Sequence, residues 1–243
     1  MSLVVANWKM HKIAPEVEEF CRRFPEEIAG LSGVDIVLAP AFPFLSAARD
    51  PEARWSVAGQ NCSAEPSGAF TGEVSAGMLA SAGCAYVLVG HSERRRYFGE
   101  EDVVLGFKVE RARQAGLVPI FCVGETLHER DAGLTDEVLD RQLSALDEDL
   151  LEAPLVVAYE PVWAIGTGHN ATPEQAGEAL ARICRRLSKR SDLQTIYGGS
   201  VTPENAEFLI EQRRIEGFLV GGSSLDPQSF AVICRRSTRR APA

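Results

Sequence analysis

The chain has 243 residues, 45% of them hydrophobic and 24% charged, with a formal net charge of −9 and a sequence pI of about 5.1. That is material for a globular fold with a sizeable core. The acidic balance argues against a broad nucleic-acid surface and leaves room for a local basic pocket that takes a small anion.

Eight apolar runs, mostly rich in β-branched residues, follow one another: Leu3–Ala6, Asp35–Ala39, Trp55–Gly59, Tyr86–Val89, Leu117–Val123, Leu155–Tyr159, Thr195–Tyr197 and Gly217–Val220. Each reads as a strand. Helical patterns lie between them. The strongest is Thr172–Leu187, with Thr172 as N-cap, Pro173 in the first turn and Gln175 completing a capping box. Its Ala176, Ala179, Leu180, Ile183 and Leu187 share one face. Asp102–Ala115 and Thr135–Leu150 are similar, and Asp226-Pro227 opens the last helix. The basic end (Arg235, Arg236, Arg239, Arg240) complements a helix C-terminus.

Eight units of roughly 30 residues each are the size of a βα repeat. No linker or composition shift divides them. The expected fold is α/β, a single-domain (β/α)8 barrel over residues 1–243. An open doubly wound sheet is the competitor, weakened by the absence of G-x-G-x-x-G after the first strand.

A barrel of this kind carries its chemistry at the C-terminal strand ends. Those ends read Asn7-Trp8-Lys9, Gln60-Asn61, Gly90-His91-Ser92-Glu93, Cys122-Val123-Gly124-Glu125, Glu160, Tyr197-Gly198-Gly199-Ser200 and Val220-Gly221-Gly222-Ser223. Glu160 closes a buried strand, and Pro161 ends its pairing for want of an N–H. Val162, Trp163, Ile165, Gly166 and Gly168 then form an apolar, glycine-hinged segment suited to a lid. The Gly-Gly pairs of strands seven and eight suit either tight turns or a backbone nest for phosphate. Lys9, one of four lysines against 21 arginines, supplies charge to an anion or, if desolvated, forms a Schiff base. His91 is either a general acid or hydrogen-bond donor, or a structural histidine.

His11, His128 and His169 lie in loops or helices. The six cysteines, at 21, 62, 84, 122, 184 and 234, form no C-x-x-C pair and no zinc-spaced cluster. Reduced thiols in a cytoplasmic protein are expected, with no metal and no cofactor. Apolar runs too short for a bilayer, and an N-terminal run without a charged flank, predict neither membrane span nor signal peptide.

One carboxylate, one histidine, one lysine and a phosphate nest suit proton abstraction beside the carbonyl of a small phosphorylated substrate. The motifs that carry this set, Ala6-Asn7-Trp8-Lys9-Met10, Val89-Gly90-His91-Ser92-Glu93-Arg94-Arg95, Cys122-Val123-Gly124-Glu125-Thr126, Ala158-Tyr159-Glu160-Pro161-Val162-Trp163-Ala164-Ile165-Gly166-Thr167-Gly168, Tyr197-Gly198-Gly199-Ser200 and Leu219-Val220-Gly221-Gly222, together resemble the triosephosphate isomerase family over essentially the whole chain.

The resemblance implies a TIM barrel that interconverts dihydroxyacetone phosphate and glyceraldehyde 3-phosphate, in glycolysis and gluconeogenesis. It implies Glu160 as base and neutral His91 as electrophile, with Asn7 and Lys9 on substrate oxygens and Glu93 holding the lysine. Gly166, Ser200, Gly221 and Gly222 would grip the phosphate through backbone N–H groups. This family is itself a standard illustration of the neutral histidine and the closing lid, so the residues here add only that each role has an occupant. It further implies a homodimer in which the loop carrying Thr71, within Asn61–Ser75, enters the partner beside Asn7 and His91. Three departures stand out: His169-Asn170 at the far lid hinge, Ala41 after Pro40, and Ser223 beside the nest. A Schiff-base sugar-phosphate enzyme and a non-catalytic phosphate-binding barrel remain the rivals.

Overall fold

The computed structural model describes residues 1–146, 154–165, 171–190 and 192–238. Eight parallel strands close into a barrel in sequence order: β1 Ser2–Asn7, β2 Val34–Ala39, β3 Ser56–Gly59, β4 Tyr86–Val89, β5 Val118–Val123, β6 Leu155–Tyr159, β7 Leu193–Tyr197 and β8 Gly217–Val220. β1 pairs with β2 on one side, Val5 opposite Val37, and with β8 on the other, Val5 opposite Leu219. Most expected strand bounds shift by a residue or two. Trp55 falls just outside β3, where its indole N–H donates to the Ala48 carbonyl at 3.0 Å.

Strand alternation sorts side chains into two cores. Leu3, Val5, Val37, Ala39, Leu88, Ile120, Cys122, Val156, Ala158, Ile196 and Leu219 belong to one cluster, which fills the barrel. Val4, Ala6, Ile36, Leu38, Val87, Val89, Phe121, Val157 and Phe218 belong to the other, which meets the helices. The same parity carries forward past the strand ends. Asn7, Gly124, Glu160, Gly198 and Gly221 each continue an inward series, so the sequence aims them at the barrel mouth.

The helix Pro173–Arg186 forms with Thr172 accepting from the Gln175 N–H at 3.2 Å and Gln175 returning the bond at 3.0 Å. Asp226 caps Pro227–Arg236 through the Ser229 N–H at 2.8 Å. Arg235 and Arg236 stand in that helix's last turn, but their guanidinium groups donate to the Glu27 and Pro203 carbonyls of other segments, while Arg239 and Arg240 lie outside the described residues. The expected helix Thr135–Leu150 is shorter where it is described. It ends at Leu143, and the Ser144 hydroxyl donates to the Arg141 carbonyl. Residues 147–150 lie outside the described residues. Among the described residues no helix is long and apolar enough to cross a membrane.

Candidate active site

Asn7, Lys9, His91, Glu160, Ser200, Gly221 and Gly222 line one cleft of about 230 Å³ at the C-terminal mouth, with Ile165, Gly198, Gly199, Val201, Leu219 and Ser223. Of the residues expected there, only Gly166 goes undescribed; together with Gly168 and the His169-Asn170 hinge it lies outside the described residues. His11 and His128 are not in the cleft.

Lys9 takes a left-handed backbone, with φ of +52°. Its N–H donates to Asn7 Oδ1 at 3.0 Å, and the Gln60 amide bridges the carbonyls of Lys9 and Ala39 at 2.8 Å each. These bonds hold a conformation that a residue with Cβ otherwise avoids. The Lys9 ammonium then meets Glu93 Oε1 at 2.6 Å.

His91 caps the helix Ser92–Phe98. Its Nδ1 accepts from the Glu93 N–H at 3.3 Å. A nitrogen that accepts carries no proton, so the neutral ring bears its proton on Nε2. Nε2 approaches Glu160 Oε1 to 3.0 Å. Glu160 itself is 1% exposed. Its Oε2 accepts from the Ser92 N–H at 2.8 Å, at the positive end of that helix. Its Oε1 stands within reach of Nε2 but accepts no aligned hydrogen bond among the described residues. One oxygen of the carboxylate is thus tethered and the other is left with an open lone pair.

The last part of the cleft is backbone. Gly222–Ser224 is a single 3-10 turn directly after β8. Ser224 is fully buried, and its hydroxyl lies 2.7 Å from the Gly221 carbonyl and 3.1 Å from that of Val220. The Trp8 indole N–H donates to the Ser224 carbonyl at 3.1 Å.

Three contributors have roles that a reading by strand ends does not assign. Glu125, fully buried, accepts from the Tyr159 hydroxyl at 3.0 Å and the Trp163 indole at 3.0 Å, and pairs with Arg130 at 3.2 Å. Burial, and then the charge of Glu125, pushes the Tyr159 phenol far above its ordinary range, so it stays protonated and donates. Gln142, also buried, clasps Gly124 at both its N–H and its carbonyl. Gln60 was visible as a strand-end amide, but not as the clamp on Lys9. For Glu125, the only sequence signal was its place at a strand end before the capping residue Thr126.

Cys122 is fully buried in the barrel, and burial followed by the charge of Glu160 drives its thiol well above the ordinary range. It packs as a neutral thiol rather than a nucleophile. Among the described residues no three His, Cys, Asp or Glu side chains gather in an arrangement for a metal ion.

The family model for triosephosphate isomerase matches residues 2–237. The chain is 51% identical to a triosephosphate isomerase of Symbiobacterium thermophilum, over 96% of this chain and 95% of that protein. It is 46% identical to one from Alcanivorax borkumensis, over 96% and 97%, and 44% identical to one from Geotalea uraniireducens, over 97% and 98%. A match that runs from the first strand into the last helix, with about half of all residues shared end to end, makes this chain a member of the triosephosphate isomerase family.

Proposed function

We propose that this isomerase of triose phosphates works through Glu160 as base, with His91, Lys9 and Asn7 on the substrate oxygens. Glu160 Oε1 takes a proton from the carbon beside the carbonyl. The C–H electron pair becomes the enediolate double bond, and the carbonyl oxygen gains the charge. The Nε2–H of His91 donates to that oxygen, and Lys9 lies across the cleft to offset the charge. His91 Nε2 then gives its proton to that oxygen and takes the proton of the neighbouring hydroxyl, whose oxygen becomes the new carbonyl as Glu160 returns its proton to the former carbonyl carbon, converting ketose to aldose. The backbone N–H groups of Ser200, Gly221 and Gly222 hold the phosphate, joined by Gly166 if the segment after Ile165 folds over. Such closure would keep water from the enediolate and the phosphate from leaving.

The observation that carries this reading is the pair of atoms at the cleft mouth, Nε2 of His91 and the unpartnered Oε1 of Glu160, 3.0 Å apart. A Schiff base on Lys9 has less support, since its ammonium is paired with Glu93 at 2.6 Å. The test is conversion of glyceraldehyde 3-phosphate to dihydroxyacetone phosphate by wild type and Glu160→Gln, with no added metal or cofactor. We expect fast wild-type turnover and at least a 100-fold (10²) loss in the variant. A variant that retains turnover removes Glu160 from the role of base; wild type that binds but does not turn over favours the binding-protein reading.

We also read residues 1–243 as one domain, a homodimer, and cytoplasmic. Support for the dimer is the exposure of the large apolar side chains of Met10, Phe70, Met78, Tyr97 and Phe98, with Phe70 next to Thr71 in its loop. Six free cysteines accord with a reducing compartment.

A further inference from the structure

We propose that Lys12 is a positioning residue for the phosphate-binding turn and that it acts through the indole of Trp8; this rests on the reading of Gly221 and Gly222 as that turn. Among the described residues only Lys9 and Lys12 are non-glycine with positive φ, at +52° and +68°. The left-handed backbone is disfavoured for any residue with Cβ. Lys9 is accounted for by the cleft. Lys12 is not in the cleft and takes no part in the reaction derived above.

What the conformation achieves is visible in where the ammonium lies. Lys12 Nζ sits 5.3 Å from the centroid of Trp8 and 5.1 Å from that of Phe20, two rings packed edge to face at 4.8 Å. Both distances are within cation–π range. Among the described residues no carboxylate comes within ion-pair distance of it. Glu16 and Asp226 act on it from further off, and burial outweighs them to lower its pKa.

Trp8 is fully buried, and its one polar atom serves the turn. The indole N–H holds the Ser224 carbonyl, and the Ser224 hydroxyl bonds back to Val220 and Gly221. A cation over the ring face fixes the plane of the indole and draws density from it, which strengthens the N–H as a donor. The chain of contacts thus runs from Lys12 through Trp8 and Ser224 to the backbone that faces the phosphate. Direct charge attraction is not required.

The experiment compares wild type with Lys12→Met, Lys12→Gly and Lys12→Arg. The readouts are kcat and KM for glyceraldehyde 3-phosphate, competitive inhibition by inorganic phosphate, and kcat/KM for unphosphorylated glyceraldehyde. Glycine removes the ammonium while relieving the left-handed strain, so loss of fold does not confound it. We expect the Met and Gly variants to raise KM and weaken phosphate inhibition about three- to fivefold. Their kcat should stay within about twofold, glyceraldehyde turnover should hold, and arginine should restore phosphate binding. Unaltered phosphate inhibition in both variants overturns the proposal. So does an equal loss on glyceraldehyde, which marks a general structural role. If inorganic phosphate does not compete in the wild type, the reading of the turn itself fails, and the proposal with it.

Discussion

Gly198→Ala offers a graded test of how tightly the base is held. Gly198 follows β7 and donates to the Tyr159 carbonyl at 2.8 Å. Its φ is not in the left-handed region, so the left-handed penalty does not arise there and the expected effect is steric. An added Cβ would lie 2.9 Å from Glu160 Cγ, where ordinary contact begins at 3.4 Å. Glu160 must therefore yield by about 0.5 Å. It has little freedom to do so, with its N–H on the Val123 carbonyl at 2.7 Å and its Oε2 on Ser92. A displacement of about 1 Å at a reacting group costs roughly 100-fold in rate, so half of that predicts about a tenfold fall in kcat. The assay is steady-state isomerisation, with circular dichroism to confirm the fold. Gly77→Ala is the control, since its Cβ would meet nothing closer than Ser75 Oγ at 3.8 Å. A folded Gly198→Ala enzyme with wild-type kcat would refute the idea that the carboxylate position is fixed to half an ångström.

Gly124→Ala should be more severe, because its Cβ would overlap the Glu160 carbonyl oxygen itself; loss of soluble protein or of all turnover is expected, and wild-type kinetics would contradict the packing. Glu125→Leu strands the buried Tyr159 hydroxyl and uncouples Arg130, for an expected loss of about 3 kcal/mol by urea unfolding; a change below about 1 kcal/mol would show that the cluster contributes little. Stability should also decline above pH 9. Burial holds the Cys62 thiol up to about 12, against 9.0 when unfolded. A raised folded pKa contributes stability that is whole below 9 and is lost as pH climbs toward 12, at up to about 1.4 kcal/mol per pH unit. Cys62→Ala should flatten that slope in urea midpoints taken on either side of pH 9; an unchanged slope would assign it to other groups, such as Cys21 and Cys84, both held near 11.

How far the amino-acid order discloses the molecule depends on the range of the contact. Strand runs such as Tyr86–Val89 and the Thr172–Gln175 capping box are local, and they stand where their residue types put them. The convergence of Asn7, Lys9, His91 and Glu160 was legible because barrel topology turns strand ends into neighbours. Glu93, which pairs with Lys9, came with the resemblance, but the other partners that frame the cleft were not legible. Gln60 clamps Lys9 across 51 residues, Glu125 reaches Trp163 across 38, and Trp8 holds Ser224 across 216. Each is a single polar atom satisfied by a distant one, and it leaves no periodicity along the chain. The end of the helix that starts at Thr135 was overrun because periodicity signals a face and carries no stop at Leu143.

The seam between β1 and β8 has a consequence for biosynthesis. Leu3 sits opposite Gly217, and the Ser2 hydroxyl reaches the Ser237 carbonyl 235 residues away. Closing so long a loop is entropically expensive, and nothing repays it until the final strand exists. A chain still emerging from the ribosome therefore carries β1 and β7 as open edges, exposed to mispairing with other nascent chains. The segment that removes those edges also brings Gly221 and Gly222, so the turn proposed to take the phosphate is among the last parts of the cleft to be synthesised. The strand that closes the barrel and the last lining residues of its cleft thus arrive together.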